Sequence, residues 1–142
     1  ESGVLMSLQA ATGYAFNRTR NAYLATHLSV AETHWSRLCG LMGKDAASFP
    51  SGDGLWIVPS RGVHTLAMKF PIDVLYLDPN KFVVHVERNL KPWRVARVSM
   101  RTASVLELPG NTLKSSGTAV GDEIEIALGE TTMNRAREVS EA

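Results

Sequence analysis

Apolar and polar residues alternate through most of this chain, and one stretch repeats with a helical period. From Tyr23, residues Leu24, Thr26, Leu28 and Val30 share one side of a two-residue period, which predicts a strand. Two helix starts compete after it. Ser29-Val30-Ala31-Glu32 has capping-box spacing, but using it would cut the strand short. Thr33 as N-cap keeps the strand and leaves Trp35, Leu38, Cys39 and Met42 at i, i+3, i+4 and i+7. The pattern therefore predicts one amphipathic helix over residues 33–42, stopped by Gly43. Residues 55–58 predict a short strand ended by Pro59 and Gly62. Residues 63–70 and 72–77 predict two more, meeting at a Pro71 corner.

Asp78-Pro79-Asn80-Lys81 fits a type I turn, with Asp at i and Pro at i+1. Phe82, Val84 and Val86 then alternate with Val83, His85 and Glu87, completing a hairpin. Leu90-Lys91-Pro92-Trp93-Arg94 interrupts the pattern, residues 103–108 resume it, and residues 109–117 predict a turn or short helix. Gly121-Asp122 is a tight turn into Glu123-Ile124-Glu125-Ile126. Residues 1–17 are small and polar with little periodicity, and residues past Gly129 have no apolar face. The expected organisation is a partly ordered arm over 1–22, one globular domain over 23–128 and a frayed tail over 129–142. The expected fold class is α+β: a mostly antiparallel, strongly bent sheet or partial barrel with one helix.

Composition narrows the function classes. The chain has 142 residues, 44% hydrophobic and 20% charged, as in a single soluble domain. Its 15 basic and 14 acidic residues are dispersed. No basic stripe forms for phosphates, so no nucleic-acid partner is expected. No apolar segment approaches the ~20 residues of a membrane span. The first residues lack a basic region followed by an apolar core, so a cytoplasmic location is the default expectation; an exported form whose leader was removed would read the same. The single cysteine, Cys39, excludes an internal disulfide and a multi-cysteine zinc site. Beside Leu38 and Met42 it reads as a small buried hydrophobe.

The candidate chemistry lies in residues 63–78, where polar groups sit on apolar strands and need partners. His64, Leu66, Met68 and Phe70 point one way, and Thr65, Ala67 and Lys69 the other. A His64/Met68 pair could take a soft metal, but no further ligands accompany it, so no metal and no cofactor are expected. Asp73 has Arg94, Lys91 and His64 as candidate partners. One reading is a structural ion pair at the corner. The other is the polar end of a ligand cleft walled by Trp93 and Trp56. Glu107 faces opposite to Leu106 and Leu108 and reads as solvated. Arg37 could cap the helix or reach an acidic neighbour. The Gly-x-Ser-x-Gly elbow, the phosphate loop and the His-Glu-x-x-His helix are all missing. The leading expectation is a noncatalytic module that binds a small ligand or a protein segment near Pro71. Its candidate residues are His64, Met68, Asp73, Trp93, Arg94, Lys91 and Arg37. The alternatives are a hydrolase or transferase using Asp73 and His64, or an accessory domain whose exposed strand pairs with a partner.

Four blocks, in order, carry a family resemblance. They are Ala31-Glu32-Thr33 through Arg37 to Gly40-Leu41-Met42-Gly43-Lys44; Val63-His64-Thr65 with Met68-Lys69-Phe70-Pro71-Ile72-Asp73-Val74; Leu90-Lys91-Pro92-Trp93-Arg94; and Val105-Leu106-Glu107-Leu108-Pro109-Gly110 leading to Gly121-Asp122. Together they resemble the domain of unknown function 192 family, also called uncharacterised protein family 0127, over residues 24–126. That family has no established activity, so the resemblance implies a fold and no reaction. Its members include exported forms and short forms without a leader, and the His64-Thr65 version looks more like the latter. The chain departs from the family at Leu66 and Ala67, at Lys44 and Lys69 where Arg is common, and at Lys81 where the turn often has Gly. Lys lacks the bidentate fork of Arg, which weakens any anion contact through position 69.

Overall fold

The structure, a computed structural model, describes residues 13–31, 46–61, 69–92 and 99–129. Seven strands form one sheet: β1 (Gly13–Asn17), β2 (Ala22–Ala31), β3 (Asp53–Ile57), β4 (Ile72–Leu77), β5 (Val83–Leu90), β6 (Ser104–Pro109) and β7 (Ile124–Ala127). Their order is β5-β4-β6-β3-β2-β1-β7, with β2–β3 parallel and every other pairing antiparallel. A 3₁₀ turn (Ala46–Ser48) precedes β3, and the short helix α1 (Thr112–Ser116) follows β6, where a turn or helix was expected. The predicted helix over 33–42 lies outside the described residues.

The sheet curls into a half-barrel. Its two edges meet at one end, where Phe82 bridges Glu123 and the Ile124 N–H donates to the Lys81 carbonyl at 2.9 Å. The turn into β5 is the one predicted: the Lys81 N–H donates to the Asp78 carbonyl at 2.9 Å. Lys81 takes φ +66°, a left-handed conformation that glycine adopts at no steric cost.

Two apolar clusters lie on opposite faces. Ala15, Leu24, Leu28, Leu75, Leu77, Val83, Leu106, Leu108, Leu113 and Ile124 come from both edges and the centre, so they fill the inside of the curl. Ile57, Phe70, Ile72, Val74, Tyr76 and Val105 form the outer cluster. Strands β4 and β6 are therefore covered on both sides, and all six residues of β4 are buried.

Two sequence expectations change here. Residues 13–17, read as part of an arm, form β1 between β2 and β7. The alternation of β2 also breaks at Thr26: Leu24, Ala25 and Leu28 are buried while Thr26 and His27 face outward. A register shift against β1 causes this, and the Thr26 and His27 N–H groups both donate to the Gly52 carbonyl, at 2.8 and 3.0 Å. Ser29 and Val30 stay in the ladder with Leu55 and Trp56, which rules out Ser29 as a helix cap.

Candidate functional site

The Pro71 corner leads straight into β4, and the first polar residue beyond it is sealed. Asp73 is fully buried. Its Oδ1 accepts the Asn89 N–H and its Oδ2 the Leu113 N–H, each at 2.8 Å. The carboxylate thus ties β4 to the end of β5 and to the first turn of α1. Among the described residues its partners are backbone amides, not the Lys91 side chain proposed from sequence.

A cavity of about 300 Å³ opens beside this staple, lined by Asp73, Arg88, Asn89, Asn111, Leu113 and Lys114. Asn89 and Asn111 adopt φ +50° and +72°, and the Asn89 amide donates to Asn111 Oδ1 at 3.1 Å. Asparagine tolerates this conformation better than other side chains, because its short polar group bonds locally. A Cβ at Gly110 would meet Asn89 Oδ1 at 2.5 Å, so a larger residue there would push the Asn89 side chain aside. Arg88 Nη2 donates to the Thr118 carbonyl at 3.1 Å, which holds the guanidinium at the cavity.

Glu107 corrects the sequence reading most sharply. It does face opposite to Leu106 and Leu108, but that face is the outer cluster and the residue is only 3% exposed. Register places it between Leu55 of β3 and Val74 of β4, with Val105 two residues earlier on the same face. Among the described residues Oε2 has no hydrogen-bond partner. Burial pushes its pKa up to about 8, so the carboxyl is neutral at pH 7. Across β4, Tyr76 packs on His85 at 5.0 Å between ring centres, and His85 Nε2 meets Glu87 Oε1 at 3.0 Å.

Another buried polar group is structural. Asp122 Oδ2 accepts from Asn17 Nδ2, Arg20 Nε and the Ala119 N–H at 2.9–3.0 Å. Burial pushes the Asp122 pKa up, but the bonds from Arg20, Asn17 and Ala119 outweigh it and hold the carboxyl below its ordinary value. This network locks the β1–β2 turn to the turn before β7.

Of the residues proposed from sequence, the structure describes two. Asp73 lines the cavity, while Lys91 follows β5, is exposed and is not part of that lining. His64, Met68, Trp93, Arg94 and Arg37 lie outside the described residues. Trp56, expected as a cleft wall, packs instead on the inner cluster with Lys81 Nζ 5.9 Å from its ring centre. Sequence reasoning missed Arg88, Asn89, Asn111 and Lys114. The available signal was Gly110-Asn111 before α1 and Asn89 at the strand end, both turn-forming residues. No group of three or more metal-ligating side chains forms among the described residues, and no helix among them is long and apolar enough to cross a membrane.

This half-barrel is a known architecture. A crystal structure of a protein of unknown function from Novosphingobium aromaticivorans superposes with a TM-score of 0.67 at 18% identity, covering 80% of this chain and 82% of that one. The sequence gives the class: residues 15–126 match the model of DUF192, described as "Uncharacterized ACR", and the chain belongs to that family. A UPF0127 protein of Pyrococcus horikoshii is 30% identical over 114 residues, covering 77% of this chain and 95% of its own length. One from Thermococcus sibiricus is 26% identical over 114 residues, covering 77% and 71%.

Proposed function

We propose that this domain is a noncatalytic binding module whose small ligand enters the cavity beside the Pro71 corner. The observation that carries this reading is the composition of that cavity. Two cationic side chains, Arg88 and Lys114, and two left-handed asparagines meet around it, and its single acid, Asp73, is sealed. Left-handed non-glycine residues cost of order 1 kcal/mol each and concentrate where a structure holds groups for a purpose. With Asp73 occupied, the positive rim favours a ligand that carries a carboxylate or phosphate group. Both oxygens of Asp73 are engaged by backbone amides, which leaves it poorly placed to act as a base and supports a binding role.

Titration of the protein with acetate, citrate or inorganic phosphate should shift the Asn89, Asn111 and Leu113 amide resonances saturably. The Arg88→Ala/Lys114→Ala double variant should fold normally and lose that response. An identical response in the double variant would refute the assignment.

A further inference from the structure

A second cavity, of about 260 Å³, opens between the start of β2, the Ser51-Gly52 turn before β3, and α1. It shares only Asn111 with the Arg88/Lys114 cavity, and its chemistry is different. Among the described residues, none that lines it is charged. Thr26, Ser51, Thr112 and Ser115 bring hydroxyls to it, while Pro109 and the buried Leu24 and Ala25 bring apolar surface.

The hydroxyl protons on α1 are already spent. Thr112 Oγ1 donates to the Pro109 carbonyl at 2.7 Å, and Ser115 Oγ donates to the Asn111 carbonyl at 3.0 Å. A hydroxyl has one proton to give and two lone pairs, so each of these oxygens keeps acceptor capacity for a partner in the cavity.

These features narrow the occupant. A charged ligand would be stripped of water here with no counter-charge to receive it. A wholly apolar one would cover the hydroxyl oxygens and leave them unbonded. What fits is a neutral molecule with several O–H donors and an apolar C–H face. The volume falls just below the roughly 300 Å³ at which ligand cavities usually begin, so that molecule is small.

We propose that this cleft is a second binding site, for a single neutral sugar ring or a cyclic polyol of that size. The C–H face of the ring packs on Leu24, Ala25 and Pro109, and its hydroxyls donate to Thr112 Oγ1 and Ser115 Oγ. The site does not rest on the anion reading of the neighbouring cavity.

The test is an amide-resonance titration with D-glucose, D-galactose, D-mannose and myo-inositol, followed at Ala25, Gly52 and Ser115. Those residues line this cleft and not the Arg88/Lys114 cavity, so the two readings are scored separately. At least one of the four rings should shift them saturably. Ser115 is exposed, so Ser115→Ala should fold normally, and it should weaken that binding roughly tenfold, the loss expected for one hydrogen bond to the ligand. Cyclohexanol keeps an apolar face with one hydroxyl, and cationic glucosamine adds a charge; both should bind more weakly. Absence of saturable shifts with all four rings, or equal affinity in Ser115→Ala, overturns the site. Tighter binding of cyclohexanol or glucosamine than of the best neutral ring overturns the ligand class.

Discussion

Two acids sit on the paired central strands β4 and β6: Asp73 has both oxygens bonded to backbone N–H groups, while Glu107 Oε2 has no partner among the described residues. In Asp73→Asn the amide turns an NH₂ toward one of those donors, so at least one charge-assisted bond is lost. The expected cost is about 2–3 kcal/mol, seen as a melting temperature lower by roughly 5–10 °C. An unchanged melting temperature would show that the staple contributes little, and the carboxylate would then be a candidate ligand contact. The sequence correctly marked Asp73 as a buried acid in need of partners. It could not name them, because backbone amides 16 and 40 residues away carry no side-chain signature. Glu107 failed for another reason. Its side of β6 was read correctly from the two-residue period. Solvation was then inferred on the assumption that an antiparallel strand buries one face. The cue against that was Val105, an apolar residue on the same side as Glu107.

At the level of elements, β3 to β6 and the helical turn were legible because alternation and turn residues agreed. Strand β1 was not. Its inward residues are Gly13, Ala15 and Asn17, while the aromatic Tyr14 and Phe16 face out against Tyr23 at 5.7 and 4.8 Å between ring centres. A hydrophobicity pattern shows nothing where small residues do the packing. Gly13 is small by necessity, since a Cβ there would meet the Ala127 carbonyl at 2.5 Å. The same close approach recurs at Gly54, where a Cβ would come within 2.8 Å of the Ala25 Cβ and 3.2 Å of Leu28. Gly54→Ala should therefore overpack the inner cluster and cost about 1–3 kcal/mol in urea unfolding, with the fold retained. Deleting residues through Asn17 removes the strand that joins β2 to β7 and abolishes the Asn17–Asp122 bond. That variant should lose cooperative unfolding. A cooperative melt at the original temperature would place β1 outside the folding unit.

For the whole molecule, these buried acids set how stability varies with pH. Glu107 has an ordinary value of 4.5 and a folded value of about 8. Between those limits the folded state holds a proton that the unfolded state has lost, so stability falls as pH rises and levels off above the folded value. At about 1.4 kcal/mol per pH unit the full effect is of order 5 kcal/mol, lessened if water enters as the acid ionises. Asp122 works in the opposite sense. Its folded value lies below the ordinary 3.8, so its contribution is present above that pH and is lost as acid protonates it. The two limbs leave a stability maximum between the ordinary values of 3.8 and 4.5, at about pH 4 and well below neutrality. Urea midpoints measured across the pH range should show that maximum. Glu107→Gln should flatten the decline on the alkaline side and leave the acid limb in place, and Asp122→Asn should do the reverse. If wild type and Glu107→Gln ran parallel from pH 5 to pH 8, the carboxyl would already be ionised in the folded protein. Its environment would then be wetter than its burial indicates.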